Sequence, residues 1–221
     1  MKSFVCIFLF LYSIYNYFNF FSWYLGPNQK IIEEALHLSL LASIPLFIMI
    51  IITHIYFYPK NVDDHAQVIS FPPIIMLFSV NLAFFVGSLN RYYFQIYDLP
   101  EFLDILRDPV IGVILIILAF LIIISAIKEF KNINEDPMPT TSSQNLIRNK
   151  IYKWTRNPMY LGILIFQVGL GMSLSYIHIT LFSLFTFIIF HYLVVKREEI
   201  YLEKQFKEKY LLYKKEVRRW L

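Results

Sequence analysis

Apolar segments of about 20 residues, each long enough to cross a bilayer as a helix, recur along this chain and constrain its fold more than any other feature. The 221 residues are 57% hydrophobic and 19% aromatic, well above the usage of a soluble globular domain. Within a bilayer the backbone must satisfy its own hydrogen bonds, and a helix does so within one segment. We therefore predict an all-α integral membrane protein.

The pattern predicts about six transmembrane helices. The first segment is long for the apolar region of a signal peptide and lacks a clear small-residue cleavage site, so we predict that it is a retained helix. The last two segments are separated by only a few residues and should form a tight antiparallel hairpin. The predicted spans are residues 4–25, 36–58, 72–93, 109–127, 162–175 and 179–195.

The basic residues orient these spans. If the C-terminus is cytosolic and six crossings alternate, seventeen of the 20 Lys and Arg residues lie on the cytosolic side, and only Lys30, Arg91 and Arg107 lie opposite. The positive-inside rule then predicts that both termini face the cytosol. The net charge of +4 is a topology signal that also suits contact with anionic membrane lipids. Because the cations border membrane spans, we predict no nucleic-acid partner.

Several kinds of site find no support in the sequence. The single cysteine, Cys6, excludes an internal disulfide and any multi-cysteine metal site. The adjacent residues Asp63-Asp64-His65 form a poor ligand set, and the other histidines lack a spacing that would place two imidazoles on one helical face. We predict no metal centre.

The segment Arg156-Asn157-Pro158 predicts the start of a helix at about Pro158. Asn is a good N-cap, and proline is well placed at the first helical position. Arg156 then lies just outside the positive end of the helix, while Tyr160 and Gly162 lie on its first turn. Considered alone, this segment is best interpreted as a helix cap with a cation at the membrane surface. The nearby glycines can be interpreted as residues that allow tight helix packing.

A second polar segment, with the carboxylate pair Glu198-Glu199, follows the last predicted span. It leads into one predicted cytosolic amphipathic helix, with the apolar stripe Leu202, Phe206, Tyr210, Tyr213, Val217 and Trp220. In isolation, Glu198-Glu199 reads as a solvated helical turn. Because the hairpin returns to the side it left, however, Arg156 and this pair should meet on one cytosolic rim. That rim suits a ligand carrying both a carboxylate and a cation.

These two segments resemble the paired signatures of the isoprenylcysteine carboxyl methyltransferase and phospholipid methyltransferase superfamily. Residues 156–162, RNPMYLG, are similar to its R-[HN]-P-x-Y-x-G motif, and residues 198–219 are similar to its E-E-x-x-L-x-x-x-F-G-x-x-Y-x-x-Y-x-x-x-V-x-R tail. The resemblance covers about residues 137–221. Two departures are Lys150, where many relatives have Gly, and Lys207, which replaces the usual Gly of the tail.

The resemblance implies a cytosolic pocket for S-adenosylmethionine and a lipophilic acceptor that arrives through the membrane. Carried over by position, it assigns Arg156 and Glu199 to catalysis and assigns Arg156, Tyr160, Gly162, Glu198 and Glu199 to the cofactor. Residues 1–130 would form the lipid- and acceptor-facing part, and residues 131–221 the cofactor-binding part.

The expected reaction is methyl transfer from S-adenosylmethionine, resembling isoprenylcysteine carboxyl O-methylation. Phospholipid N-methylation and S-methylation of a small thiol are alternatives. A nicotinamide-dependent sterol or enone reductase is a rival, but its R-x-P-N-Y-x-G-E signature differs here at Met159 and Ile163. A transporter or non-enzymatic scaffold is a further alternative, although the spans show neither buried charges nor inverted repeats.

Overall fold

A computed structural model describes residues 2–25, 32–58, 65–94 and 100–221. These residues contain eight α-helices and no strand, which confirms the all-α prediction. The helices are α1 (Lys2–Leu25), α2 (Ile32–Phe57), α3 (Pro72–Leu89), α4 (Pro109–Asn132), α5 (Pro158–Ser173), α6 (Ile177–Ile189), α7 (Lys196–Phe206) and α8 (Glu208–Glu216).

Among the described residues, five helical stretches are long and apolar enough to cross a membrane. They are α1, α2 from Leu36, α3, α4, and the continuous helix Ile177–Phe206, in which a π-helical turn joins α6 to α7. Helix α5 has 16 residues and spans only about 24 Å at 1.5 Å per residue. The chain is therefore a multi-pass membrane protein, while the sixth crossing and the side on which the termini lie stay predictions.

The helices pack in the order α1–α2–α3–α6–α5–α4. Helix α4 lies very close to α5 because glycines face each other along their contact. A Cβ atom added at Gly112 would lie 2.3 Å from the backbone nitrogen of Ser173, and one at Gly169 would lie 2.8 Å from the carbonyl oxygen of Gly112. Small residues allow such close approach between membrane helices, and this contact fixes α5 at the site described below.

Lipid-facing and interior surfaces are distinct in this bundle. Large apolar side chains are exposed along α1 and α4, among them Phe4, Phe8, Leu11, Ile117, Leu121 and Ile124. Inside, the fully buried amide of Gln167 accepts a hydrogen bond from Thr186 at 2.7 Å and donates one to Ser79 at 3.2 Å. This network joins α3, α5 and α6 where water is absent, so each polar atom needs a protein partner.

The predicted hairpin and its helix start are confirmed. Helix α5 begins at Pro158, and only residues 174–176 separate it from α6. The predicted cap is wrong in one respect, because the Asn157 side chain caps nothing in α5. Its Nδ2 atom instead donates a hydrogen bond to the carbonyl oxygen of Arg219 at 2.8 Å. The approach of the C-terminal tail takes the amide away from the helix.

The single C-terminal helix predicted by the apolar stripe is wrong. Lys207 has φ 49°, a value that no helical residue has, so the helix breaks there into α7 and α8. Most of the stripe still packs together, with Tyr210, Tyr213 and Val217 in one cluster beside Leu146, Leu202 and Phe206. Lys150 also has φ 49°. Both lysines that stand at the superfamily's usual glycine positions thus adopt the backbone region that favours glycine.

Two groups of residues named in the sequence analysis, Lys30 and Asp63-Asp64, lie outside the described residues. Between α3 and α4, a short 3-10 helix covers Glu101–Arg107. Asp108 then caps α4 by accepting hydrogen bonds from the backbone at residues 110 and 111.

Candidate active site

An open cleft lies where α5 begins and α7 leaves the bundle. One wall is the loop between α4 and α5, and the others are the first turn of α5 and the faces of α7 and α8 that point toward it. The lining includes Asp136, Met138, Ser143, Tyr152, Arg156, Tyr160, Glu198, Glu199, Leu202, Tyr210 and Tyr213. The structure thus brings four of the five predicted site residues together in one cleft.

The loop wall is held against α7 at Ser143. Its backbone nitrogen donates a hydrogen bond to the hydroxyl of Tyr201 at 3.0 Å, and its carbonyl oxygen accepts one from Gln205 at 3.2 Å. These contacts fix a polar loop beside the membrane helices and close one side of the cleft.

Arg156 is buried by the C-terminal tail, with only 7% of its side chain exposed. Its Nη1 atom donates to the carbonyl oxygens of Lys214 at 3.1 Å and Val217 at 2.5 Å, and its Nη2 atom donates to Glu199 at 2.7 Å. Its Nε atom is buried and has no hydrogen-bond partner within the part of the chain that the structure describes. A buried donor without a partner costs free energy, so this nitrogen is a candidate contact for a bound anion.

Glu199 is occupied on both carboxylate oxygens. In addition to Arg156 on Oε1, Arg219 donates from Nε to Oε1 at 3.0 Å and from Nη2 to Oε2 at 2.6 Å. Only 5% of the Glu199 side chain is exposed. Two guanidinium groups compensate the buried charge, as such a charge requires. Glu199 therefore organises the two arginines, and its oxygens are not free for a ligand in this arrangement.

Glu198 is the carboxylate that the cleft leaves available. It is half-buried and, among the described residues, accepts one hydrogen bond, from the hydroxyl of Tyr160 at 2.7 Å. That bond goes to Oε2, and Tyr160 is itself buried against Phe190. The aromatic contact holds the hydroxyl in place and so orients Glu198 toward the cleft.

Gly162 is the predicted site residue that the structure separates from the cleft. It faces α4, where an added Cβ would lie 2.5 Å from Cγ1 of Ile123 and 3.2 Å from the carbonyl oxygen of Ala119. This is the helix-packing role that the sequence allows for the glycines of the hairpin. Gly162 can influence the site only by letting α5 approach α4.

The residues missed by sequence reasoning are in the last turn of the chain, above all Arg219. We call Val217–Trp220 the C-terminal strap. The strap lies along residues 155–157 through three hydrogen bonds. Arg156 N donates to Arg218 O at 3.0 Å, and Thr155 Oγ1 and Asn157 Nδ2 donate to Arg219 O at 3.1 and 2.8 Å. The superfamily's tail motif ends in V-x-R, and its arginine falls on Arg219. That match was the signal in the sequence that could have identified this residue.

A hydrogen bond between two tyrosines fixes the helix that leads into the strap. The hydroxyl of Tyr213 donates a hydrogen bond to the carbonyl oxygen of Tyr152 at 2.6 Å. Burial raises the pKa of Tyr213, so its hydroxyl keeps its proton and stays a donor at neutral pH. This bond joins α8 to the short 3-10 helix Lys150–Lys153 that precedes Arg156.

Comparisons with known proteins agree with this architecture. Residues 108–209 match the phospholipid methyltransferase family. They include α4, the hairpin and both site segments, whereas the C-terminal strap lies beyond the matched residues. An uncharacterized protein of Haemophilus influenzae is 37% identical over 67 residues, which cover 28% of this chain and all of that relative. No solved structure matches the chain. The matched part of the chain, residues 108–209, is thus similar to the phospholipid methyltransferase family, which lies within the superfamily of integral membrane methyltransferases.

Proposed function

We propose that this membrane methyltransferase takes its methyl group from S-adenosylmethionine bound in the cleft and transfers it to a lipophilic acceptor. The observation that carries this proposal is one cleft that combines an available carboxylate, Glu198, with an unpartnered buried donor, Nε of Arg156. S-adenosylmethionine carries an ammonium group, a positively charged sulfur and a carboxylate, so each of the two protein groups has a complement. Members of this family generally use that cofactor.

The residues present fit the cofactor. Glu198 would face its cationic part, Nε of Arg156 would bind its carboxylate, and Tyr152, Leu202 and Tyr210 offer the aromatic and apolar walls typical of small-molecule sites. When bound, S-adenosylmethionine supplies a methyl group on a sulfur that leaves as a neutral thioether, so a protein nucleophile is not needed.

The chain's own contribution is to bind, to orient and to exclude water. Alignment of two reactants can supply roughly 7–11 kcal/mol of a barrier. Arg156 and Glu199 would act here as one ion pair that shapes the cleft, and Gly162 would act by keeping α5 against α4.

The charges of the cleft favour an amine acceptor, as in phospholipid N-methylation. Asp136 and Glu198 are acidic, while the guanidinium groups of Arg156 and Arg219 are both bound to Glu199. The guanidinium of Arg156 is also bound to two backbone carbonyls, and that of Arg219 to the ring of His191. A nitrogen that gains a methyl group becomes cationic, and the Glu198 carboxylate can accept its proton or stabilise its charge. Residues 1–130 would supply the lipid-facing part, and residues 131–221 the cofactor-binding part.

One observation favours a second candidate, O-methylation of an isoprenylcysteine-type carboxylate. Nε of Arg156 is a buried donor that could bind the acceptor's carboxylate instead of the cofactor's. For either acceptor, we propose that the cleft and both termini face the cytosol, because the basic residues are concentrated on that side.

Methyl transfer by the purified protein in lipid nanodiscs tests this proposal. With methyl-labelled S-adenosylmethionine, we expect labelled N-methylated phosphatidylethanolamine in nanodiscs that contain phosphatidylethanolamine. Nanodiscs of phosphatidylcholine alone should stay unlabelled, because its nitrogen is already quaternary and has no lone pair to accept a methyl group. Glu198→Gln should lose most of this transfer, whereas Glu203→Gln, on the same helix but paired with Lys214, should keep it. Label found only as a base-labile ester of a prenylcysteine would select the second candidate. Failure to transfer label to either acceptor, together with binding of a nicotinamide cofactor, would overturn the proposal.

A further inference from the structure

The C-terminal strap contacts both backbone and side-chain atoms of the site. Its carbonyl groups bind the backbone nitrogen of Arg156 and the side chains of Thr155 and Asn157. Two further carbonyls of the tail, from Lys214 and Val217, bind Nη1 of Arg156. The segment that opens α5 is therefore shaped by the last residues of the chain.

Arg219 completes this arrangement from the opposite side. Its planar fork binds both oxygens of Glu199, at 3.0 and 2.6 Å, and Glu199 in turn binds Nη2 of Arg156. Both terminal nitrogens of Arg156 are thus held by groups that the tail supplies or orients. Nε is the guanidinium nitrogen that finds no partner in the described ranges of the chain, so the tail determines which donor is left for a ligand.

Trp220 fastens the strap to the membrane bundle. Its indole nitrogen donates a hydrogen bond to Nδ1 of His191 at 3.1 Å, and its ring lies 5.2 Å from the ring of Phe187. His191 belongs to the π-helical turn Phe190–Val195, and such widened turns are frequent at functional sites. The turn directs His191 toward the strap, and the contact between His191 and Trp220 fixes the backbone position from which the Arg219 side chain extends.

We propose that Arg219 is a positioning residue, which acts through Glu199 to hold Arg156 so that its Nε atom binds the carboxylate of the ligand. This inference rests on the proposed function, since the ligand is the amino-acid end of the cofactor. Arg219 itself touches no ligand. A lysine at this place would keep the charge but lose the paired, planar donors that fit both oxygens of Glu199.

Two adenosine ligands separate positioning from a general structural role. S-adenosylhomocysteine carries the amino-acid end, whereas 5′-methylthioadenosine lacks it. In the full-length protein in nanodiscs, we expect Arg219→Ala to weaken S-adenosylhomocysteine binding by about tenfold or more, the loss typical of one charge-assisted hydrogen bond. Binding of 5′-methylthioadenosine should stay within about twofold, because its contacts do not depend on Arg156. Arg219→Lys should fall between wild type and Arg219→Ala.

The control is Lys215→Ala, which removes an exposed cation of α8 and should leave both affinities unchanged. Trp220→Phe keeps an aromatic ring and removes only the indole donor, so it should selectively weaken the binding of S-adenosylhomocysteine. If Arg219→Ala does not fold, Trp220→Phe and Arg219→Lys provide the test in its place. Equal weakening of both ligands, or no weakening of either, would overturn the inference. If the wild-type protein bound neither ligand, the proposed function itself would fail.

Discussion

The substitution Glu199→Gln gives the sharpest quantitative test of the site's architecture. It keeps the size of the side chain and removes its charge. The carboxylate accepts three hydrogen bonds from two guanidinium groups, whereas glutamine offers one acceptor oxygen and places an amide donor against a guanidinium donor. Both arginines would then face a neutral partner at a site where only 5% of the Glu199 side chain is exposed.

The magnitude follows from burial. Removing one partner of a buried ion pair costs about 3–5 kcal/mol. Arg219 is 24% exposed and can turn to water, whereas Arg156 is 7% exposed and cannot, so we expect the lower end of that range. A loss of about 3 kcal/mol raises the population of the open tail by about 100-fold.

Hydrogen exchange measured by mass spectrometry in nanodiscs reads out this opening. The amides of Arg156 and Val217 are bonded to Arg218 O and Tyr213 O, each at 3.0 Å, so peptides spanning residues 150–158 and 214–221 should exchange faster by about 100-fold. The control is Glu203→Gln. Its ion pair with Lys214 is about one-third exposed on each side and is worth about 0–1 kcal/mol. Small and equal changes in the two variants would refute the buried ion network.

Three other predictions follow from single residues. Arg156→Lys should insert in the membrane and lose most single-turnover methyl transfer. Lysine cannot reproduce the guanidinium fork that binds Glu199 and two carbonyls. Wild-type turnover in this variant would show that the residue is only a surface cation. Lys207→Gly should raise the thermal midpoint, since relief of the positive φ is worth about 1 kcal/mol after the entropy of glycine is counted; a lower midpoint would contradict this. With Cys6 replaced, a cysteine at Glu101 should react with an impermeant thiol reagent from outside the cell, and one at Lys214 should not; the reverse pattern would sink the predicted orientation.

Membrane helices and the start of α5 could be predicted because each depends on local sequence. Apolar length alone predicts a span, and the Asn157-Pro158 step alone predicts a helix start. The convergence of Arg156 with Glu198-Glu199 followed from one topological fact, that a short hairpin returns to the side it left. Each of these predictions concerns a short stretch of chain, whose structure is determined by the periodicity of apolar residues and by the chemistry of proline.

What the sequence did not reveal depends on tertiary contacts. Glu198 and Glu199 are adjacent and chemically equal, and the positions of Arg156 and Arg219 determine that Glu199 is fully bound while Glu198 is left for the cleft. The amide of Asn157 leaves its predicted cap because Arg219 O comes within 2.8 Å. The break at Lys207 is hidden because lysine carries no sign of positive φ, whereas a glycine would have marked it.

The central claim is that the cleft binds S-adenosylmethionine, and equilibrium binding to the purified protein in nanodiscs tests it most directly. S-adenosylmethionine and a reduced nicotinamide cofactor should be titrated against the wild-type protein and against Glu198→Gln, with Glu203→Gln as the matched control. The account predicts saturable binding of S-adenosylmethionine that Glu198→Gln weakens by about tenfold, the worth of one charge-assisted contact. It predicts no effect of Glu203→Gln and no binding of the nicotinamide. Saturable nicotinamide binding without S-adenosylmethionine binding would contradict it.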